Sequence, residues 1–320
     1  MDLRSLSLPS SPVKIPGLTP LRPLGVGGRC AVWLARRTCG ADSAVDWILP
    51  SKKLPETVAL KIPLQSARGS VPTRTLRAEL EAMVPLLHEH LVKPLGIAST
   101  AGAPVLILQA YTGGSLARFL RTSRMLTPGQ AVTVFSPVAQ ALAHLHDCGA
   151  AHGDVSAANI LLTPEGRPGL ADLGDSTLLG MEHTAGTAAG DIRQLAIATW
   201  YALTGQLPDG DQRRAPLAAL LPRARRELGV LLEDALEADP GSRPSAWEFA
   251  SEIYRCAEPE ALDMTAHADD ATLQELPTVL PATQKPGPHR RGTGFLRFWG
   301  LVPRMRRWIR PGSSRPQDAA

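Results

Sequence analysis

The sequence predicts an α+β protein of two lobes, a small strand-rich lobe first and a larger helical one after it, meeting at a cleft. Three observations lead there. Up to about residue 110 the chain runs in short apolar stretches bounded by turn residues, with one helical stretch among them. After Gly113-Gly114 the apolar positions change to helical spacing. A length of 320 residues with 44% hydrophobic content builds one substantial core plus tails, and suits two lobes sharing a cleft better than two independent domains.

In chain order the first lobe spans 18–110, after a flexible Pro/Ser-rich N-terminus at 1–17. Residues 24–37 and 56–63 read as strands, separated by a polar insertion containing Ser51-Lys52-Lys53-Leu54-Pro55. Residues 73–88 have helical spacing, and 91–98 and 104–110 return to strand, the latter around Val105-Leu106-Ile107-Leu108. The second lobe spans 111–257. There Ala131, Phe135, Val138, Leu142 and Leu145 form one helical stripe that ends at Cys148-Gly149, a glycine stop. Further helices are expected near 191–204, 216–236 and 245–256.

Beyond the second lobe the character changes. Residues 258–284 hold six acids and no Lys or Arg, which reads as an acidic, disordered linker containing Thr272, Thr278 and Thr283. Residues 285–320 hold nine Lys/Arg against one acid, a net of +8, so the rest of the chain carries −4 of the total +4. The basic balance therefore belongs to the tail, and the folded region is not expected to bind nucleic acid. Within 294–310, Phe295, Leu296, Phe298, Trp299 and Trp308 interleave with Arg297, Arg304, Arg306 and Arg307. That mixture suits an anionic membrane surface, and equally a basic tail docking on a partner or on nucleic acid. Four scattered cysteines without a CxxC pair argue against a disulfide framework or a zinc site. With no run of eighteen apolar residues and no apolar block near the N-terminus, the expected location is the cytoplasm, peripheral to the membrane if the tail binds there.

Four local patterns carry chemistry. The stretch Leu24-Gly25-Val26-Gly27-Gly28-Arg29-Cys30-Ala31-Val32 falls in a strand-turn-strand setting, where glycines let backbone N–H groups approach phosphates. A plain glycine-rich hairpin explains it as well. Downstream come Val58-Ala59-Leu60-Lys61 on a strand, then His152-Gly153-Asp154-Val155-Ser156-Ala157-Ala158-Asn159 and Ala171-Asp172-Leu173-Gly174.

Taken together and in this order, these motifs resemble the bacterial, eukaryotic-like (Hanks-type) serine/threonine protein kinases over about residues 18–257, as a divergent member with a shortened activation segment. The resemblance implies the two-lobed protein-kinase fold, with ATP and Mg2+ as ligands. By the same match Asp154 takes the proton of the substrate hydroxyl, Asn159 and Asp172 hold magnesium, and Lys61, paired with Glu79, steadies the phosphates. Gly25, Gly27 and Gly28 cover the phosphates, Val32, Ala59 and Leu161 enclose adenine, and Gln109, Ala110 and Tyr111 form the hinge behind which Leu108 stands. Asp239-Pro240-Gly241-Ser242-Arg243-Pro244 matches the late motif near the end of the fold.

Departures from the pattern are specific. Cys30 replaces the third glycine. Gly153 stands where an arginine clasps a phosphorylated activation loop, and Ser156 where a lysine contacts the transferring phosphate. Only residues 175–190 separate Gly174 from Asp191, without an Ala-Pro-Glu motif, so Arg243 loses its usual glutamate and is expected to be unpaired, solvated or bound to another acid. Three functions follow: a slow protein phosphotransferase acting on a protein substrate or regulatory partner, a pseudokinase serving as an ATP-binding or scaffolding module, and a small-molecule kinase.

Overall fold

The computed structural model describes residues 14–26, 30–41, 45–48, 53–63, 77, 80–81, 84–100, 103–173, 186–208, 215–222 and 224–265. Gly27, Gly28, Glu79, most of the shortened segment at 174–185 and everything after Thr265, including the basic tail, lie outside them.

The first lobe is an antiparallel six-stranded sheet. Its strands are β1 (Leu18–Val26), β2 (Cys30–Arg37), β3 (Asp46–Trp47), β4 (Thr57–Pro63), β5 (Pro94–Thr100) and β6 (Ala103–Gln109), in the spatial order β1-β2-β4-β6-β5-β3. Pro20 and Pro23 lack an N–H to give to a ladder, and they sit in β1 at the sheet edge, where the register shifts after each of them. Side chains alternate across the pleat, so on β4 Val58, Leu60 and Ile62 enter the lobe core with Val105 and Ile107 of β6. Ala59 and Lys61 therefore face the other way, into the cleft. Arg77, Leu80 and Glu81 are helical, and Leu80 is buried against Ile97 and Leu106. The expected helix over 73–88 ends early: Val84–Leu86 is a 3-10 turn, since Pro85 disfavours helix at the residue before it.

The second lobe is built around one buried helix. After α1 (Leu116–Ser123), N-capped by Ser115, comes α2 (Pro128–Asp147), which opens on a Thr127–Gln130 capping box with Pro128 in its first turn. The stripe Ala131, Phe135, Val138, Leu142 and Leu145 is fully buried, and α2 stops at Gly149, whose φ of 75° suits glycine. A hairpin of β7 (Ile160–Leu162) and β8 (Pro168–Leu170) follows, then α3 (Ala188–Thr204). The helix expected over 216–236 is two pieces, α4 (Leu217–Leu220) and α5 (Arg226–Ala235), broken where Pro222 intervenes. The last helix, α6 (Ala246–Cys256), packs on α2 and buries Phe249 and Ile253. Among the described residues no helix is long and apolar enough to cross a membrane.

The folded lobe does not end at 257. Residues 258–265, expected in the disordered linker, lie along the start of α2 as a strap: Glu260 N donates to Gly129 O (3.2 Å), Thr133 Oγ1 donates to Glu260 O (2.7 Å), and Thr127 Oγ1 bonds the Glu260 carboxylate. Leu262 and Met264 are buried in the same core as α2. The acidic composition suggests disorder, but two buried apolar side chains and the hydrogen bonds to Thr127, Gly129 and Thr133 outweigh it.

Candidate active site

A cleft of about 510 Å³ opens between the sheet and the helical lobe. Its upper wall is set by register. Val32 pairs with Lys61, Leu34 with Ala59, and Gly25 with Val32, so Gly25, Val32, Ala59 and Lys61 border one space. Leu108, Gln109, Tyr111 and Thr112 carry the chain between the lobes along the back of the cleft. The Tyr111 ring is buried against Gly169, where a Cβ would lie 2.4 Å from the ring, and burial pushes its phenol pKa up. The Gln109 Oε1 is buried with no hydrogen-bond partner among the described residues, on the face of the sheet that Val58 shares rather than the face of Ala59 and Leu108.

At the inner end of the cleft the ionic groups meet. Lys61 Nζ lies 2.9 Å from Asp172 Oδ1, the lysine side chain 8% exposed and the carboxylate 40%. Asp172 holds φ at 69°, a left-handed conformation costly for a residue with a side chain, which the surrounding contacts enforce. Asn159 Nδ2 donates to both the Asp154 carbonyl and its Oδ2 at 2.9 Å, so the Asn159 carboxamide oxygen is the atom it can offer to a cation. That oxygen and the Asp172 carboxylate form a hard, oxygen-only donor set, which fits magnesium carried with phosphate. Leu161 forms part of the cleft floor.

One fully buried carboxylate organises this floor. Asp191, in the first turn of α3, accepts from His152 N (2.8 Å), Gly153 N (2.7 Å) and His146 Nε2 (2.9 Å). Gln194, a turn later, accepts from Val155 N (2.8 Å) and donates to Gly153 O (3.0 Å). The His152 ring extends the chain of bonds: its Nδ1 accepts from Asp154 N (3.3 Å), which leaves Nε2–H to donate to Ala171 O (2.9 Å), beside Asp172. This geometry requires neutral imidazole, and burial lowers the His152 pKa in the same direction. The backbone joining Asp154 to Asp172 is thus fixed from α3.

The substituted positions have local explanations. Gly153 has φ of 81°, and Gly186 packs backbone to backbone on it: a Cβ on Gly186 would lie 2.4 Å from the Gly153 Cα. Arg243 is half-buried and makes no ion pair among the described residues; its guanidinium donates to the carbonyls of Ala189 (2.8 Å), Glu237 (2.8 Å) and Ala238 (3.2 Å). It ties the start of α3 to the turn before α6. Sequence reasoning missed His146, Gln194 and Gly186, because their roles exist only where α2, α3 and the residue before α3 meet the loop around Gly153 or its anchor Asp191.

Comparison with known proteins bears on the fold that carries this site. Residues 19–203 match the family model of protein tyrosine and serine/threonine kinases. The chain belongs to the protein kinase family. The chain is 28% identical to the serine/threonine-protein kinase PkaA of Streptomyces coelicolor over 287 residues, 78% of this chain and 51% of that protein. It is 26% identical to the serine/threonine-protein kinase ULK3 of Xenopus laevis, covering 62% of this chain and 49% of that one. A shorter match, 35% identical over 113 residues, is to the MAP3K epsilon protein kinase 2 of Arabidopsis thaliana, covering 35% of this chain and 8% of that protein. The chain thus spans about half the length of the first two relatives and far less of the third. Within the kinase domain, Lys61, Asn159 and Asp172 line the inner end of one cleft, and Asp154 is held beside them by its hydrogen bond from Asn159.

Proposed function

We propose that the chain is a slow protein serine/threonine phosphotransferase, moving the γ-phosphoryl group of Mg-ATP to a protein hydroxyl. The observation that carries this is the joining of Lys61 to Asp172 and of Asn159 to Asp154 at one end of the cleft. Adenine would lie between Val32, Ala59 and Leu161, its edge on the backbone of 109–111. Lys61 would steady the α- and β-phosphates, with Gly25 and the glycines after it above them, and Asn159 and Asp172 would hold magnesium, which when bound neutralises phosphate charge. The acceptor hydroxyl oxygen attacks the γ-phosphorus, the bond to the bridging oxygen breaks to release ADP, and the hydroxyl proton passes to Asp154.

Ser156 lacks the cation that would meet the transferring phosphate; losing one preorganised electrostatic contact costs on the order of 10² to 10³ in rate. The same substitution favours a second reading, a pseudokinase that binds nucleotide without transfer. Incubation of the full chain with Mg-ATP followed by mass spectrometry separates the two. Phosphate on wild type, none on Asp154→Asn and more on Ser156→Lys supports transfer. A raised melting temperature with Mg-ATP but no phosphate on the chain or any partner supports the pseudokinase, and absence of both removes nucleotide binding altogether. The basic tail we assign to an anionic membrane surface; recovery of full-length protein with phosphatidylserine liposomes no better than with neutral ones would refute that assignment.

A further inference from the structure

The outer end of the cleft is basic. Arg22 of β1 and Arg118 and Arg121 of α1 border its mouth, one from the sheet and two from the helical lobe. Arg118, Arg121 and Arg124 recur every third residue, which places them along one face of α1 and its end, and α1 itself contains no acid. From the first to the last of these the helix rises about 9 Å, the span of roughly three residues of extended chain. Arg124 is outside the cleft lining, so the basic stripe runs outward beyond the nucleotide space. In the proposed nucleotide pose the triphosphate would take its counter-charges from Lys61 and from magnesium held by Asn159 and Asp172.

We propose that this rim selects acidic acceptor segments, and that residues 266–276 of this chain are one such segment. The inference rests on the phosphotransferase reading for its chemistry, though not for its binding. Two facts favour this occupant. The strap ends beside the rim: Met264 Cε would lie 2.9 Å from a Cβ on Gly113, and on the adjacent Gly114 a Cβ would lie 3.4 Å from Arg118 Cδ. The chain that follows carries Asp269, Asp270 and Glu275 around Thr272, with no Lys or Arg. Seven residue steps lead from Thr265 to Thr272, a reach of up to about 24 Å from the end of the strap.

The test uses the full chain with its own acids neutralised (Asp269→Asn, Asp270→Asn, Glu275→Gln), so that it cannot compete with an added peptide. A labelled peptide of residues 265–276 and its neutral Asn/Gln counterpart are titrated by fluorescence anisotropy in the presence of a non-hydrolysable Mg-nucleotide. The acidic peptide is expected to bind about tenfold more tightly, a sum of several exposed charge pairs, with the preference shrinking at high salt. In Arg118→Glu/Arg121→Glu the preference turns toward a lysine-substituted peptide while fluorescent-nucleotide binding is retained. Equal binding of the acidic and neutral peptides, or a preference that survives the arginine reversal, overturns the proposal. So does parallel loss of nucleotide binding, which would give the arginines to the nucleotide instead. If the charge preference holds in binding but Mg-ATP phosphorylates neither peptide nor any other acceptor, the rim stands and the transferase reading falls.

Discussion

The two walls of the cleft are made by different means. The upper wall is a pleated sheet, where Val32, Ala59 and Lys61 face inward because alternate residues of paired strands share a side. Each position is supported by the ladder on both sides, so no single bond decides it. The lower wall is loop, and Asp154, Asn159 and Asp172 are oriented through a relay that returns to one buried carboxylate, Asp191. A wall built by periodicity tolerates local damage, whereas one built around a single acceptor does not. The lower wall should therefore be the fragile one, in stability as in activity.

The largest expected effect is at its centre. Asp191→Ala leaves the buried N–H groups of His152 and Gly153 without an acceptor and should destabilise the chain by about 3 to 5 kcal/mol, read from urea unfolding. A loss under about 1 kcal/mol would mean that water replaces the carboxylate and that the two walls are equally robust. Next is the strap: Leu262→Ala removes a side chain buried beside α2 and should cost about 2 to 3 kcal/mol. If residues 258–265 only trail along the surface, the same substitution will leave the unfolding midpoint where it was.

The pH dependence sharpens the comparison, with a smaller effect. His152, in the lower wall, and His88, near His90, His144, Glu89 and Lys93, both have pKa values lowered by burial from 6.5. Both are held neutral in the fold while the unfolded chain takes up protons near 6.5, so stability should be level above that pH and fall as pH drops from 6.5 toward the lower folded values. Thermal unfolding between pH 8 and 5 tests the sign. His88→Asn should reduce the slope, and a melting temperature that rises on acidification would contradict the neutral assignment. The smallest effect is expected in the upper wall. Lys61→Met leaves Asp172 with 40% of its side chain exposed to water, so stability should change by less than about 1 kcal/mol while the melting shift produced by Mg-ATP disappears.

Much of the frame was legible before any coordinates. The strand at 56–63 and the stripe from Ala131 to Leu145 anticipate β4 and α2, and of the residues that the motifs single out Lys61, Asn159 and Asp172 line one cleft, with Asp154 bonded to Asn159. Helix ends were less legible, because Pro85 and Pro222 break periodic runs that otherwise continue. The strap was read as linker because its composition is acidic; only the partners waiting on α2, at Thr127, Gly129 and Thr133, make it part of the fold.

The amino-acid sequence by itself determined which side chains are available for phosphate, metal and proton chemistry, and on which strand or loop each lies. It did so because pleat and helix repeat over two to four residues, a range in which neighbours in sequence are neighbours in space. Tertiary structure alone decided how the floor of the cleft is held: Asp191 and Gln194 reach back 38 to 41 residues to the loop around Gly153, and the Arg243 guanidinium spans 54 residues to Ala189. A buried polar group must find a partner, but which one it finds depends on what the packing of α2, α3 and α6 brings beside it.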